Sequence, residues 1–369
     1  MNIGIVTGSR AEYGLLEPLA KEIHNGSDNL FLFVTGSHLS DLHGRTIHDI
    51  HFPISEKIEC VLSNDSEKSI CQNVSLAIAG FGSVFSRYDL DCVILLGDRY
   101  EILASAIAAH IHRIPIVHLH GGEVTSGAYD DAFRHSITKM ASLHFVASHE
   151  YRKRVIQLGE APRTVFVVGA LGIAGLKPRS RQPNPRFDSD SKKAIVLYHP
   201  ETLAVNSTVV LYDMVDALIE CGITPTFILS NADNGNHDIN SVIKSFPYNV
   251  YTSRERSEFI DMLLGADFII GNSSSGIIEA PALGVPTINI GSRQDGRARA
   301  SSIIDVPDPT KRTIANAINL IYLPGFQKKL LNMSIQYANS DNLVASILNT
   351  IRTELDNVKL AKGFYDLAS

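Results

Sequence analysis

The 369-residue chain has no cysteine pair spaced as CxxC; Cys60, Cys71, Cys92 and Cys221 stand apart. That pattern excludes a disulfide framework and fits free thiols in a reducing compartment. The first residues, MNIGIVTGSR, lack the basic start and long apolar core of a secretory leader. No run approaches the length of a membrane span. The sequence therefore predicts a cytoplasmic protein with no membrane partner. Excess positive charge is also missing: 33 Lys and Arg stand against 39 Asp and Glu, a formal net charge of -6. Nucleic acid is not expected as a partner, although a local pocket can still oppose the global charge and take a small anion. Two nucleotide fingerprints are absent as well. GSRAEYG, after the first apolar run, offers no GxGxxG, and no GxxxxGK[ST] occurs anywhere, which argues against NAD enzymes and P-loop NTPases.

What is present is a long alternation of strand-like and helix-like segments. IGIV, LFLFVT, CVILLG, IPIVHL, LHFVA and VFVVG are apolar at nearly every position, and helical periods such as YGLLEPLAKEIH and YEILASAIAAHIH lie between them. Continuous apolar strands separated by helices predict parallel sheets covered on both faces. Residues 176–193 are rich in Pro, Arg, Asp and Ser and read as a linker. The alternation then restarts with AIVLYHP, TPTFILS, DFIIGN and PTINIG. The expected fold class is α/β, two Rossmann-like doubly wound domains facing a cleft. The expected division is an N-terminal domain over 1–175, the linker, a C-terminal domain over 194–350, and a C-terminal helix over 351–369 that crosses back to the first domain.

Such sheets bind ligands at the carboxyl ends of their strands. The polar residues gather there: Gly8-Ser9-Arg10, Gly97-Asp98-Arg99, the loop after IPIVHL, His199, and Asn272-Ser273-Ser274. In GNSSSGIIEAPALGVPTINIGSRQDGRAR, a helix beginning at Ser274-Ser275-Gly276 would offer free backbone N–H groups to a diphosphate. Glu279, about one turn inside, would meet ribose hydroxyls. Arg293, Arg297 and Arg299 would add charge, with Arg10 reaching the same phosphates. The plainer reading makes the serines a helix cap and the arginines a solvated face.

HLHGGEVTSGAYDDAFRH admits three readings. His118 and His120, two apart on a strand, share a face and with Glu123 would suit zinc. Alternatively Glu123, Asp98 and the Asp130-Asp131 pair are acid–base groups, with one aspartate capping the next helix and His199 at the same cleft. The third reading is a solvated loop without chemistry.

The motifs GSRAEYG, VTGSHLS, LLGDR, GGEVTSGAYDDAFRHSITKMASLHFV, YHPET and GNSSSGIIEAPALGVPTINIGSRQDGR resemble, in order, those of the hydrolysing UDP-N-acetylglucosamine 2-epimerases of sialic acid synthesis. The resemblance runs from about residue 3 to residue 300. It implies a glycosyltransferase-B-like fold, release of N-acetylmannosamine and UDP through a 2-acetamidoglucal, and a homodimer or homotetramer. It also implies UDP contacts at Arg10 and Ala11, and catalytic carboxylates at Asp98, Glu123, Asp130 and Asp131, with Arg99 beside Asp98. His199 is implied at the diphosphate and sugar, Gly235 and Phe259 near the uracil. Ser273, Ser274, Gly276 and Glu279, with Asn272 and Arg293, are implied at diphosphate and ribose. No cofactor or metal is implied. The chain departs from the common family pattern at Glu12, where Asp is usual, and at HLHGGE, where HIEGGE is usual. A related subgroup acts on a UDP-2,4-diacetamido sugar for legionaminic acid, and the non-hydrolysing epimerases, a glycosyltransferase and a non-catalytic UDP-sugar-binding module are the rival readings. His118 is read as structural or as supporting another group, and His120 as a possible substrate contact.

Overall fold

A strand buried on both faces must be apolar at consecutive positions, and the first sheet is built from such runs. A computed structural model describes residues 1–41, 45–60, 66–126, 129–176, 192–199, 207–229, 236–252, 256–331, 337, 342–358 and 362–367. Its first sheet contains β1 (Asn2–Thr7), β2 (Asn29–Thr35), β3 (Ile54–Ile58), β4 (Cys92–Leu96), β5 (Ile116–Leu119), β6 (Leu143–Val146) and β7 (Val165–Val167). They lie in the order β3-β2-β1-β4-β5-β6-β7, every ladder parallel. Helices α1 (Arg10–Asn25), α2 (Glu67–Phe85), α3 (Tyr100–Ile111), α4 (Asp130–Met140) and α5 (His149–Gln157) make the crossovers. The two faces of the sheet carry separate apolar clusters. One is centred on Ile5, Leu16 and Val117, the other on Phe33, Phe81 and Ile102.

The second sheet has β8 (Lys192–Leu197), β9 (Ile223–Ile228), β10 (Asn249–Tyr251), β11 (Phe268–Gly271), β12 (Thr287–Ile290) and β13 (Ile303–Val306), in the order β10-β9-β8-β11-β12-β13, again parallel. Its helices are α6 (Ser207–Glu220), α7 (Asn236–Ser245), α8 (Arg256–Gly265), α9 (Glu279–Ala282), α10 (Lys311–Ile321) and α11 (Pro324–Leu331). In both sheets the strand order reverses beside the first strand, at β1/β4 and at β8/β11. These are the switch points where doubly wound sheets open a crevice.

The chain divides into two compact units. The first holds Met1–Glu123, Tyr129–Ala174 and Ala338–Ser369; the second holds Val124–Ala128 and Gly175–Tyr337. The boundaries thus differ from 194–350 for the second domain. Helix α12 (Leu343–Glu354) buries Leu343, Ile347, Leu348 and Ile351 in the α1 side of the first sheet's core, so the return precedes residue 350. The helix expected over 351–369 also ends early, at Glu354, with one further turn through Asn357. Most of the expected linker, 177–191, lies outside the described residues.

Residues 362–367 are non-helical and meet partners on the first unit. Lys362 Nζ donates to Glu160 at 2.5 Å and to the Ala141 carbonyl at 2.6 Å, and the Tyr365 N–H donates to the Gly159 carbonyl at 2.9 Å. Glu160 is buried, which alone would raise its pKa. Hydrogen bonds from His144, Lys139 and Lys362 outweigh that and pull it down to about 2. A carboxyl whose folded pKa is depressed contributes stability above its unfolded value of 4.5 and loses it as pH falls toward the folded value. The urea stability gap between wild type and Glu160→Gln should therefore shrink as pH is lowered from 4.5 to about 2. A gap independent of pH in that window would refute the assignment.

Candidate active site

At the switch point of the first sheet, β1 ends in Thr7 and leads through Gly8 to Ser9, whose hydroxyl accepts from the Glu12 N–H and caps α1. Ser37 Oγ and the His38 N–H both donate to the Gly8 carbonyl. A Cβ at Gly8 would stand 2.6 Å from Glu101 Oε1, so only glycine lets the loop pass over that side chain. Glu101 is completely buried and accepts from Arg99 Nε at 2.7 Å. Glu12 accepts from the Gly8 N–H at 2.8 Å. Burial first, and then the negative charge of Glu101, push the Glu12 carboxyl up to about 8. Arg10 Nη2 pairs with Asp49 at 2.6 Å. Ala11 is exposed on the first turn of α1.

Around the ends of β4 and β5, Asp98, Asp131 and the backbone carbonyl of Glu123 meet on one side chain. Arg134, on the buried face of α4, is the hub. Its Nη2 donates to Asp98 Oδ2, and its Nη1 donates to Asp131 Oδ1 at 3.2 Å and to the Glu123 carbonyl at 2.9 Å. Arg134 is 3% exposed, whereas the carboxyl side chains of Asp98 and Asp131 are 22% and 30% exposed. The guanidinium therefore lies beneath two partly open carboxylates. Asp131 Oδ2 also lies 3.4 Å from His135 Nε2. The expectation that one aspartate caps α4 is corrected. Tyr129 holds the cap position and its side chain makes no capping hydrogen bond, and Asp130 and Asp131 are the first two helical residues, where negative charge suits the helix dipole.

The two histidines of HLHGGE are engaged by the protein. His118 Nε2 faces the Gly97 carbonyl at 2.8 Å, so that nitrogen carries the proton, and Nδ1 meets Thr138 Oγ1 at 3.1 Å. Burial lowers its pKa to about 3, so the ring is neutral. His120 meets Glu123 Oε1 through Nδ1 at 2.7 Å, while its Nε2 accepts from the Leu171 N–H at 3.1 Å. With each ring nitrogen already holding a protein atom, the zinc reading loses its ligands. Among the described residues no cluster of three or more His, Cys, Asp or Glu is arranged to hold a metal.

In the second unit, β8 and β11 are tied at their ends by one residue. Asn272 Oδ1 accepts from the His199 N–H at 2.7 Å, and Nδ2 donates to the His199 carbonyl at 2.9 Å. Asn272 is wholly buried, so the side chain expected to touch ligand is instead a clip that sets the His199 backbone. Gly271, at φ 142°, permits the approach, since a Cβ there would lie 2.0 Å from the Leu197 carbonyl oxygen. The helix expected from Ser274 is also corrected. Ser274–Gly276 is a single 3-10 turn capped by Ser273 Oγ, and Glu279 is the first residue of the four-residue α9 rather than lying inside a longer helix. Pro281 has no N–H to donate to the Ile277 carbonyl, so the 3-10 turn and α9 do not join into one continuous helix. Ser273 and Gly276 are buried, while Ser274 and Glu279 are half-buried.

Arg293 Nη1 donates to the Asn272 carbonyl at 3.2 Å. Arg297 and Arg299, expected as anion-binding charge, make internal bonds. Arg297 donates to the Val124 carbonyl at 2.9 Å and lies 3.4 Å from Thr125 Oγ1, and Arg299 donates to Asp305 and to the Gln294 carbonyl. Phe259, on α8, is half-buried against the cluster of Ile195 and Leu263. Gly235 lies outside the described residues. Sequence reasoning missed Arg134 and Glu101. The available signal for Arg134 was its position three after Asp131 in a helical pattern, where an acid–base pair shares a face.

The sequence profile described as UDP-N-acetylglucosamine 2-epimerase matches residues 21–345. The chain is 38% identical to the Escherichia coli polysialic acid biosynthesis protein P7, over 98% of this chain and 96% of that protein. It is also 38% identical to the UDP-N,N'-diacetylbacillosamine 2-epimerase (hydrolyzing) of Legionella pneumophila, over 90% of each. In structure it is similar to the Neisseria meningitidis UDP-GlcNAc 2-epimerase solved with UDP-GlcNAc, with a TM-score of 0.77 and 18% identity over 96% of this chain and all of that one. That likeness establishes a glycosyltransferase-B-like fold. Among the described residues no helix is long and apolar enough to cross a membrane.

Two outcomes follow for this site. Arg134→Met should cost about 2 kcal/mol in urea denaturation, because charged hydrogen bonds are lost beneath carboxylates that keep some access to water; an unchanged midpoint would show that the hub is not holding them. Glu12 has a folded pKa above its unfolded 4.5, so the native state keeps a proton that the unfolded state releases. Stability from this group should fall as pH rises from 4.5 to about 8 and then level off. Glu12→Gln should flatten that decline in pH-dependent denaturation.

Proposed function

The chain belongs to the UDP-N-acetylglucosamine 2-epimerase family, and we propose that it is a hydrolysing member that converts UDP-N-acetylglucosamine and water to N-acetylmannosamine and UDP. The observation that carries this reading is the convergence on Arg134 of Asp98, Asp131 and the Glu123 carbonyl. Inverting C2 requires a base for a weakly acidic proton and an acid on the opposite face of the sugar. Carboxylates on separate elements around one guanidinium supply both.

In the proposed reaction a carboxylate takes the C2 proton, the C1–O bond to UDP breaks, and a C1=C2 double bond forms. Water then adds its hydroxyl to C1 while a second acid gives a proton to C2 from the other face, and the proton released by the water restores that acid. One water is consumed and UDP is released. Asp98, Glu123 and Asp131 carry the proton transfers, with Asp130 adjoining them. His199, Arg10 and Arg99 meet the negative charge that grows on the leaving diphosphate. Ser273, Ser274, Gly276, Glu279 and Arg293 are assigned to the diphosphate and ribose, Ala11 to the nucleotide, and Gly235 and Phe259 to the uracil. Asn272 enters only through the backbone it holds. The proposal includes cytoplasmic action as a homodimer or homotetramer in the supply of N-acetylmannosamine for sialic acid, with no metal or redox cofactor required by any step.

A second substrate is favoured by a specific finding: a relative named for hydrolysing UDP-N,N'-diacetylbacillosamine is as similar as the polysialic acid protein. Proton NMR of each sugar nucleotide with enzyme and chelator in D2O separates the readings. Free N-acetylmannosamine carrying deuterium at C2, together with UDP, is the expected result. Turnover of the diacetamido sugar alone would move the assignment to that substrate. A C2-inverted UDP-sugar without UDP release would identify a non-hydrolysing epimerase, and acceptor-dependent turnover without C2 exchange a glycosyltransferase.

A further inference from the structure

His120 has a backbone that residues with a side chain seldom adopt, at φ 63°. Left-handed backbone at a non-glycine costs free energy and persists where the surroundings enforce it. Here the surroundings are identifiable. The His120 N–H donates to the Phe145 carbonyl on β6 at 2.9 Å, and the next turn, Gly121-Gly122, packs so closely on α5 that a Cβ at Gly122 would lie 2.6 Å from the Tyr151 carbonyl oxygen. This geometry delivers the ring to a specific pair of partners. Leu171 presents a backbone N–H to Nε2 at 3.1 Å. An N–H can only donate, so Nε2 must be the acceptor, and the proton of the neutral ring resides on Nδ1. That proton faces Glu123 Oε1 at 2.7 Å. Glu123 is 4% exposed, so the bond is made largely away from water, where orientation is strongly specified.

We propose that His120 is a positioning residue for Glu123: the Leu171 amide fixes the ring in its Nδ1–H form, and Nδ1–H fixes the orientation of the Glu123 carboxylate. The role rests on the reading of Glu123 as an acid–base group. Holding one oxygen of the carboxylate fixes the plane and direction of the whole group. The His120 ring does not touch the reacting atoms in this arrangement. It differs in kind from His118, whose Nε2–H is directed to the Gly97 carbonyl and whose Nδ1 meets a threonine hydroxyl.

Two substitutions divide the ring's functions. The amide nitrogen of Asn overlays Nδ1 and retains a donor toward Glu123 while losing the acceptor for Leu171. The amide of Gln overlays Nε2 and retains an acceptor for Leu171 while losing the donor. His120→Asn should keep kcat within about threefold of wild type, whereas His120→Gln should lose about 100-fold in kcat with little change in KM, as expected when a reacting group is misplaced. The reverse order would mean that the ring matters only as a strut for Leu171 and would overturn the proposal. A second readout needs no turnover. In 15N-histidine-labelled full-length protein, the signal missing from His120→Asn should show a protonated Nδ1 and a bare Nε2. A protonated Nε2 would overturn the proposal whatever the kinetics. Absence of wild-type turnover on any UDP-sugar would sink the functional reading instead, and the tautomer spectrum would still decide whether the Leu171–His120–Glu123 chain exists.

Discussion

The contact on which the strand ends of the first domain depend is a single guanidinium set beneath two carboxylates. Asp98 follows β4 and Asp131 opens α4, and without a positive charge their mutual repulsion would oppose bringing them together. Arg134 supplies that charge from the same helix as Asp131, one turn on, and its Nη1 also donates to the Glu123 carbonyl. Its planar fork addresses all three groups at once, which a lysine ammonium would not do with the same geometry. The helix that carries Asp131 thereby also anchors the loop that carries Glu123.

Within each unit, polar side chains at the strand ends hold backbone in place. Asn272 clips the two ends of the His199 peptide, His118 holds the Gly97 carbonyl, and Arg297 holds Val124 and Thr125. Such residues belong to the machinery because strand-end loops have no sheet partners of their own, and their polar backbone groups must be satisfied by side chains. At the switch point of the first sheet, the buried Glu12 grips the Gly8 amide and the buried Glu101 the Arg99 guanidinium.

Legibility of the fold in the sequence follows burial. Central strands such as CVILL and FIIG are enclosed on both faces and announce themselves as continuous apolar runs. The strands that sequence reading did not find, β3, β10 and β13, all lie at sheet edges. ISEKI, NVY and IIDV are short, half-exposed and carry charge or polarity, so their strand character comes from pairing with a neighbour rather than from their own pattern. The expected helix after Ser274 failed for a local reason that Pro281 could have signalled, and residues 362–367, expected as helix, instead hold Glu160 and the Gly159 carbonyl through Lys362 and Tyr365.

By itself the sequence determined the two parallel sheets, the strand ends where chemistry gathers, and the family, because two-sided burial and strand-end loops impose residue types that can be read in order along the chain. Only the tertiary structure decided which partner each polar group takes. Arg134 became the hub, Asn272 a backbone clip, Arg10 the partner of Asp49, and His120 an Nδ1–H donor to Glu123. Those choices depend on groups such as Leu171 and Asp98, dozens of positions from the residues they bind, that meet only when the sheet has closed. Hydrogen bonds act across a few ångströms of space, and sequence spacing does not encode that distance.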